Sequence, residues 1–142
     1  MIPILLVAAQ FVCAGALVLS GRWIARDLPW QLLESAGIAV VVWGVWAMGL
    51  RQLRVTPVVS DSAQLVTRGP YRWIRHPMYT GVLLATLALV VDDWTGPRFI
   101  VWCALVFILL AKLTYEERLL RQRFPEYAAY CRGTKRLIPY LF

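Results

Sequence analysis

The chain has 142 residues, 15 Lys or Arg against eight Asp or Glu, and a formal net charge of +7. Hydrophobic residues make up 60% and charged residues 16%, against about 45–50% and about 25% in an ordinary soluble domain. This balance excludes a soluble globule and a disordered chain, and it predicts one membrane domain over residues 1–142.

Residues 2–20 carry no charge and predict a first helix. The stretch has no basic segment in front of it and is long for a signal peptide, so it reads as a transmembrane helix. Residues 30–50 predict a second helix, with Glu34 the single charge between positions 28 and 50. Residues 77–93 predict a third and 97–115 a fourth. A bilayer core of about 30 Å takes about 20 helical residues. The first two blocks reach that length, and the last two reach it by drawing polar flanks into the helix. Past the fourth span, Leu119, Leu120, Phe124 and Tyr127 form an apolar stripe at helical spacing. Pro125 should end or kink the helix after Phe124. The stripe is expected to cover the cytoplasmic end of the bundle, and it reads either as a lid over a ligand or as a simple interfacial anchor.

Charge sets the expected orientation. Arg51, Arg54, Arg68, Arg72 and Arg75 lie between the second and third helices, and seven more basic residues lie from Lys112 onward. These two regions hold 12 of the 15 basic residues. Because basic residues favour the cytoplasmic side, both termini are expected in the cytoplasm, facing anionic membrane lipids. That accounts for the basic excess without nucleic acid, for which a soluble basic face is missing. Cys13, Cys103 and Cys131 make no Cys-x-x-Cys pair, and a single histidine excludes a histidine-rich metal site. No phosphate loop and no dinucleotide glycine fingerprint is present.

The third and fourth helices are joined by a short connection, which predicts an antiparallel hairpin. Counted from Thr95, Tyr79 lies 16 residues before and Lys112 17 after, while His76 lies 19 before and Glu116 21 after. At about 1.5 Å per residue these four share one layer near the cytoplasmic edge. Ionisable groups at such a depth are costly and point to function. The competing reading is that Lys112 snorkels and Glu116 is solvated. Gly69-Pro70 signals a turn, and Pro77 suits the first position of a helix. His76 would then stand at a helix N-terminus, an end that favours an anion.

The residues Gln64-Leu65-Val66-Thr67-Arg68-Gly69-Pro70-Tyr71, Arg75-His76-Pro77-Met78-Tyr79-Thr80-Gly81 and Glu116-Glu117 resemble a known family. It is that of the integral-membrane methyltransferases, which includes isoprenylcysteine carboxyl methyltransferase and the phospholipid methyltransferases. The shared signature is Arg-His-Pro-x-Tyr followed, after a hydrophobic span, by Glu-Glu. The resemblance covers residues 60–139. It implies an all-α membrane protein of four transmembrane helices, with a cytoplasmic loop and an amphipathic C-terminal helix forming a cofactor pocket. It implies S-adenosylmethionine as methyl donor and a lipid-like acceptor, an isoprenylcysteine-type carboxylate or a related group. It also implies that Ala63, Gln64, Leu65, Val66, Tyr71, His76, Pro77, Met78, Tyr79 and Glu116 hold the cofactor. Lys112 stands where the eukaryotic carboxyl methyltransferases place a substrate-binding arginine. A lysine keeps the charge and loses the bidentate fork. A second resemblance, to the terminal region of membrane sterol reductases, rests on Arg75-His76-Pro77, Cys131 and Ile138-Pro139-Tyr140; it would imply a nicotinamide cofactor in a much longer chain. A non-catalytic membrane module is the third reading.

Overall fold

The computed structural model describes residues 2–49 and 65–142. Five helices follow in order: α1 (Ile2–Leu19), α2 (Leu28–Met48), α3 (Pro77–Asp92), α4 (Gly96–Arg123) and α5 (Tyr127–Gly133), with a 3-10 turn at Gly69–Arg72. Among the described residues no strand forms, and a single isolated parallel bridge joins Ile74 to Lys135.

Prolines start the helices. α2, α3 and α4 each carry one in the first two positions, where a missing amide hydrogen costs nothing. Gly49, at φ 78°, ends α2. α4 runs 28 residues, about 42 Å at 1.5 Å per residue, and so continues past the expected span of 97–115 through the stripe, as the sequence predicts. It stops at Phe124, as the following proline requires.

α2 and α4 are long and apolar enough to cross a bilayer, while α1 and α3 are shorter apolar helices. The distribution of burial points the same way. On α2 the buried residues are Glu34, Gly37, Gly44 and Ala47, whereas Ile38, Val42 and Trp46 are exposed. Small and polar residues inside with large apolar ones outside is the pattern of helices packed within lipid.

α2 packs along α3 and α1 along α4; α3 and α4, though joined by a short connection, touch each other less extensively. The α2–α3 seam is close because Gly37 and Gly81 face each other. A side chain on Gly81 would meet the Gly37 carbonyl, and one on Gly37 would meet the backbone at Gly81 and Ala85. The apolar core gathers Leu17, Val90, Leu105, Leu109, Leu113 and Leu137 around Tyr79.

The end of the bundle away from most of the basic residues is closed by hydrogen bonds between loops. Glu34 Oε2 accepts from the Ala25 amide at 3.0 Å, and Asp92 Oδ1 accepts from the amides of Arg26 (2.9 Å) and Asp27 (3.1 Å). Arg98 is buried, donating to the Leu89 carbonyl at 3.0 Å and pairing with Asp93 at 3.2 Å. The lone charge of the second apolar block thus caps a loop, and the far side of the α3–α4 hairpin is fixed in register.

Candidate active site

At the basic end, the chain entering α3 is shaped by local constraints. Arg68 Nε donates to the Ala47 carbonyl at the end of α2, 2.9 Å away. Gly69 sits at φ 61°, and a side chain there would meet Ala47, so only glycine fits without strain. The 3-10 turn buries Tyr71. The next residues run beside the C-terminal tail: the Arg75 amide donates to the Lys135 carbonyl (2.7 Å), the His76 amide to the Arg136 carbonyl (3.0 Å) and the Lys135 amide to the Trp73 carbonyl (3.0 Å). Thr80 Oγ1 adds a bond to the Leu137 carbonyl at 2.7 Å. His76 is the residue immediately before α3, with its side chain free of any capping bond.

The layer expected from counting along the hairpin is present. Tyr79 Oη donates to the Glu116 carboxylate, 2.7 Å from each oxygen. His76 Nδ1 lies 3.7 Å from Glu116 Oε2, and its ring stacks on Tyr79 with centroids 5.3 Å apart. Lys112 Nζ lies 5.0 Å from the Tyr79 ring centroid. The lysine does not snorkel: it is buried and donates to Gln10 Oε1 of α1 at 2.9 Å.

The two glutamates take different environments because adjacent helical residues point about 100° apart. Glu116 keeps 22% of its side chain exposed, Glu117 only 3%. Glu117 Oε1 accepts from Arg75 Nε at 2.8 Å and lies 3.5 Å from His76 Nε2. Its other oxygen lies 3.3 Å from Arg136 Nη2. Arg75 also donates to the carbonyls of Cys131 and Thr134. Burial weakens the hold of Arg75 on its proton, and Glu117 more than offsets this, so the pair stays charged. The Arg75–Glu117 pair therefore joins α4, the entry to α3 and the tail in one knot, a role the motif did not reveal for either residue.

α5 lies over the turn. Tyr127 is fully buried, and Tyr130 Oη donates to the Tyr71 carbonyl at 2.7 Å. Of the rest of the stripe, Leu119, Leu120 and Phe124 are half-buried. Burial pushes the Tyr130 hydroxyl up to about 12. The Tyr71 hydroxyl is raised further, by burial first and then by Tyr130 and Glu116. Tyr71 is thus a neutral donor, and its buried Oη has no hydrogen-bond partner among the described residues.

Of the residues expected to hold a cofactor, His76, Tyr79 and Glu116 meet directly, with Tyr71 close enough to feel the Glu116 charge. Leu65 and Val66 are half-buried ahead of the turn. Pro77 and Met78 lie against Gly44 of α2; a side chain on Gly44 would run into Met78. Ala63 and Gln64 lie outside the described residues. Among the described residues no metal-binding group forms, and the three cysteines are free thiols.

Two apolar hollows lie against α2. One, lined by Ser35, Ile38, Val42 and Trp46, runs along the outer face of α2. The other lies between Val40, Trp43, Trp73, Ile74 and Tyr140. They share Trp43, so apolar surface continues from the outside of α2 to the residues just before His76.

Residues 31–127 match the phospholipid methyltransferase family. Over 140 residues the chain is 36% identical to the cobalt-zinc-cadmium resistance protein CzcN of Cupriavidus metallidurans, covering 95% of this chain and 62% of that protein. Over 115 residues it is 36% identical to the nickel-cobalt-cadmium resistance protein NccN of Alcaligenes xylosoxydans xylosoxydans, covering 77% and 53%. The chain therefore spans between half and two thirds of the length of these relatives. No solved structure gives a significant match. The family match contains the whole His76–Tyr79 and Glu116–Glu117 constellation, and on that ground the chain belongs to the phospholipid methyltransferase family of integral-membrane methyltransferases.

Proposed function

We propose that the protein transfers a methyl group from S-adenosylmethionine to a lipid-like acceptor, an isoprenylcysteine-type carboxylate or a related group, at the cytoplasmic face of the membrane. In this reading four helices span the bilayer and both termini are cytoplasmic, in keeping with the 12-to-3 split of basic residues. The observation that carries the proposal is the convergence of His76, Tyr79 and Glu116 at one end of the α3–α4 hairpin.

The residues suit the donor. Glu116 is a partly exposed carboxylate that can accept from hydroxyl and ammonium groups, and the orphaned Tyr71 hydroxyl is a buried donor beside it. Residues 63–66 with Pro77 and Met78 complete the cofactor set that the family resemblance implies. S-adenosylmethionine supplies an electrophilic methyl group. Transfer of that group is an in-line displacement, so alignment of the two substrates contributes most of the rate. The chain offers positioning groups in keeping with this: Tyr79 fixes the Glu116 carboxylate, His76 backs it, and Lys112 supplies a buried positive charge for an anionic acceptor. A carboxylate acceptor needs no proton removed, and no proton-transfer pair is required. The relatives' names refer to resistance to divalent metals.

Calorimetry of the purified protein with S-adenosylmethionine tests the reading. Saturable binding supports it, and absence of binding overturns it.

A further inference from the structure

Lys112 is a buried ammonium with three donors. Among the described residues it makes one hydrogen bond, to the neutral Gln10 Oε1 at 2.9 Å. Its other neighbour is the face of the Tyr79 ring. Glu116, one turn further along α4, is engaged by Tyr79 and does not pair with it. A buried charge without a contacting counter-ion is costly, and this one sits one helical turn from the candidate active site.

Gln10 limits how the site can be used. An ammonium only donates, so the amide must turn its oxygen to Lys112 and its nitrogen away. That nitrogen makes no hydrogen bond among the described residues. The side chains of Lys112 and Gln10 therefore present two kinds of N–H donor next to each other, one charged and one neutral. An arginine presents such a pair within one group, and that fork is what matches both oxygens of a carboxylate.

We infer that Gln10 and Lys112 together form a two-armed carboxylate receptor, in which α1 supplies the second arm that lysine alone lacks. Gln10 is then a specificity-determining residue for the acceptor. It lies outside the stretch matched by the family, so this arm belongs to the N-terminal helix of this chain. The inference rests on the methyltransferase reading for the identity of the acceptor, and on the Gln10–Lys112 contact for the chemistry.

The test uses the full chain in lipid nanodiscs and two probes, N-acetyl-S-farnesylcysteine and its carboxamide, with binding measured by calorimetry. The wild type should bind the carboxylate at least tenfold more tightly than the carboxamide. Gln10→Leu should lose most of that preference. Gln10→Glu, which keeps an oxygen toward Lys112 but replaces the free donor with an acceptor, should lose it too. Gln10→Leu combined with Lys112→Arg should restore it, because the guanidinium carries its own fork. S-adenosylmethionine affinity, measured on the same samples, should change less than threefold and so certify assembly. A wild type without preference for the carboxylate, an unchanged preference in Gln10→Leu, or no recovery with arginine would each overturn the inference. Loss of S-adenosylmethionine binding by the wild type would instead overturn the methyltransferase reading, since carboxylate binding is read separately.

Discussion

Glu117→Ala should loosen the protein at one defined place. The carboxylate is 3% exposed and the Arg75 guanidinium 9% exposed, so its removal leaves a buried cation without its anion. Breaking such a pair costs about 3–5 kcal/mol. The contact to Arg136, whose side chain is 34% exposed, adds well under about 1 kcal/mol because solvent screens it. Arg75 keeps its bonds to the carbonyls of Cys131 and Thr134, which places the expected loss near the lower bound, about 3 kcal/mol. For a domain stable by about 5–15 kcal/mol this is a large fraction. The loss should be local first, because Arg75 and Arg136 anchor the tail against residues 73–76. Two measurements check this in detergent: the midpoint of denaturant unfolding, and the rate of trypsin cleavage at Lys135 and Arg136. The midpoint should fall and the tail should be cut faster, while Glu117→Gln, which keeps an acceptor for Arg75, should show a smaller effect. A Glu117→Ala protein with wild-type unfolding and a protected tail would refute the reasoning that this pair fastens the tail.

Glu116→Gln and His76→Ala should each weaken S-adenosylmethionine binding tenfold or more in calorimetry, since a hydrogen bond to a charged group is worth about 1.5–3 kcal/mol, while the unfolding midpoint stays close to wild type. Lys112→Ala should abolish turnover of a carboxylate acceptor and leave cofactor affinity nearly unchanged; a matching fall in cofactor affinity would mark Lys112 as a support for Glu116. Cysteines placed at Arg26 and Lys135 should be labelled by an impermeant reagent from opposite sides of the membrane, and labelling from the same side would reject the orientation. Gly81→Leu should separate α2 from α3 and abolish assembly, because the new side chain meets the Gly37 carbonyl and the Val41 backbone.

Much of this arrangement was legible because it follows from counting. Pro77 and Pro97 fix where two helices begin, and Pro125 fixes where α4 stops. A short connection between α3 and α4 then brings Tyr79 level with Lys112 and His76 level with Glu116. What counting does not supply is direction around the helix and pairing across the chain. Pro77 and Met78, which the family resemblance groups with His76 and Tyr79, lie against Gly44 of α2, a contact that counting along the hairpin does not supply. Nor did it separate Glu116 from Glu117, whose difference is made by Arg75 and Arg136 arriving from distant segments. Gln10 was hidden as one amide in an apolar block. A polar side chain amid 19 uncharged residues was the available signal, and burial in lipid requires that such a group find a partner.

The paired glutamates divide two tasks between neighbouring residues of one helix. A lone carboxylate at that depth would have to serve both as anchor and as ligand, and one use would spoil the other. Here the anchor is Glu117, buried among Arg75, His76 and Arg136. Its position holds the tail over the end of α4 and sets the entry to α3, which in turn sets His76. Glu116, turned about 100° away on the same helix, needs only Tyr79 to fix it and keeps a face open. The division also explains the tail's position in the fold. By pairing with residues 73–76, the tail is fixed beside the entry to α3. Apolar surface meeting at Trp43 runs from the outer face of α2 to Trp73 and Ile74 of that same entry segment. Under the proposed function the two carboxylates divide the work: Glu117 holds the segments in place, and Glu116 is left to meet a ligand.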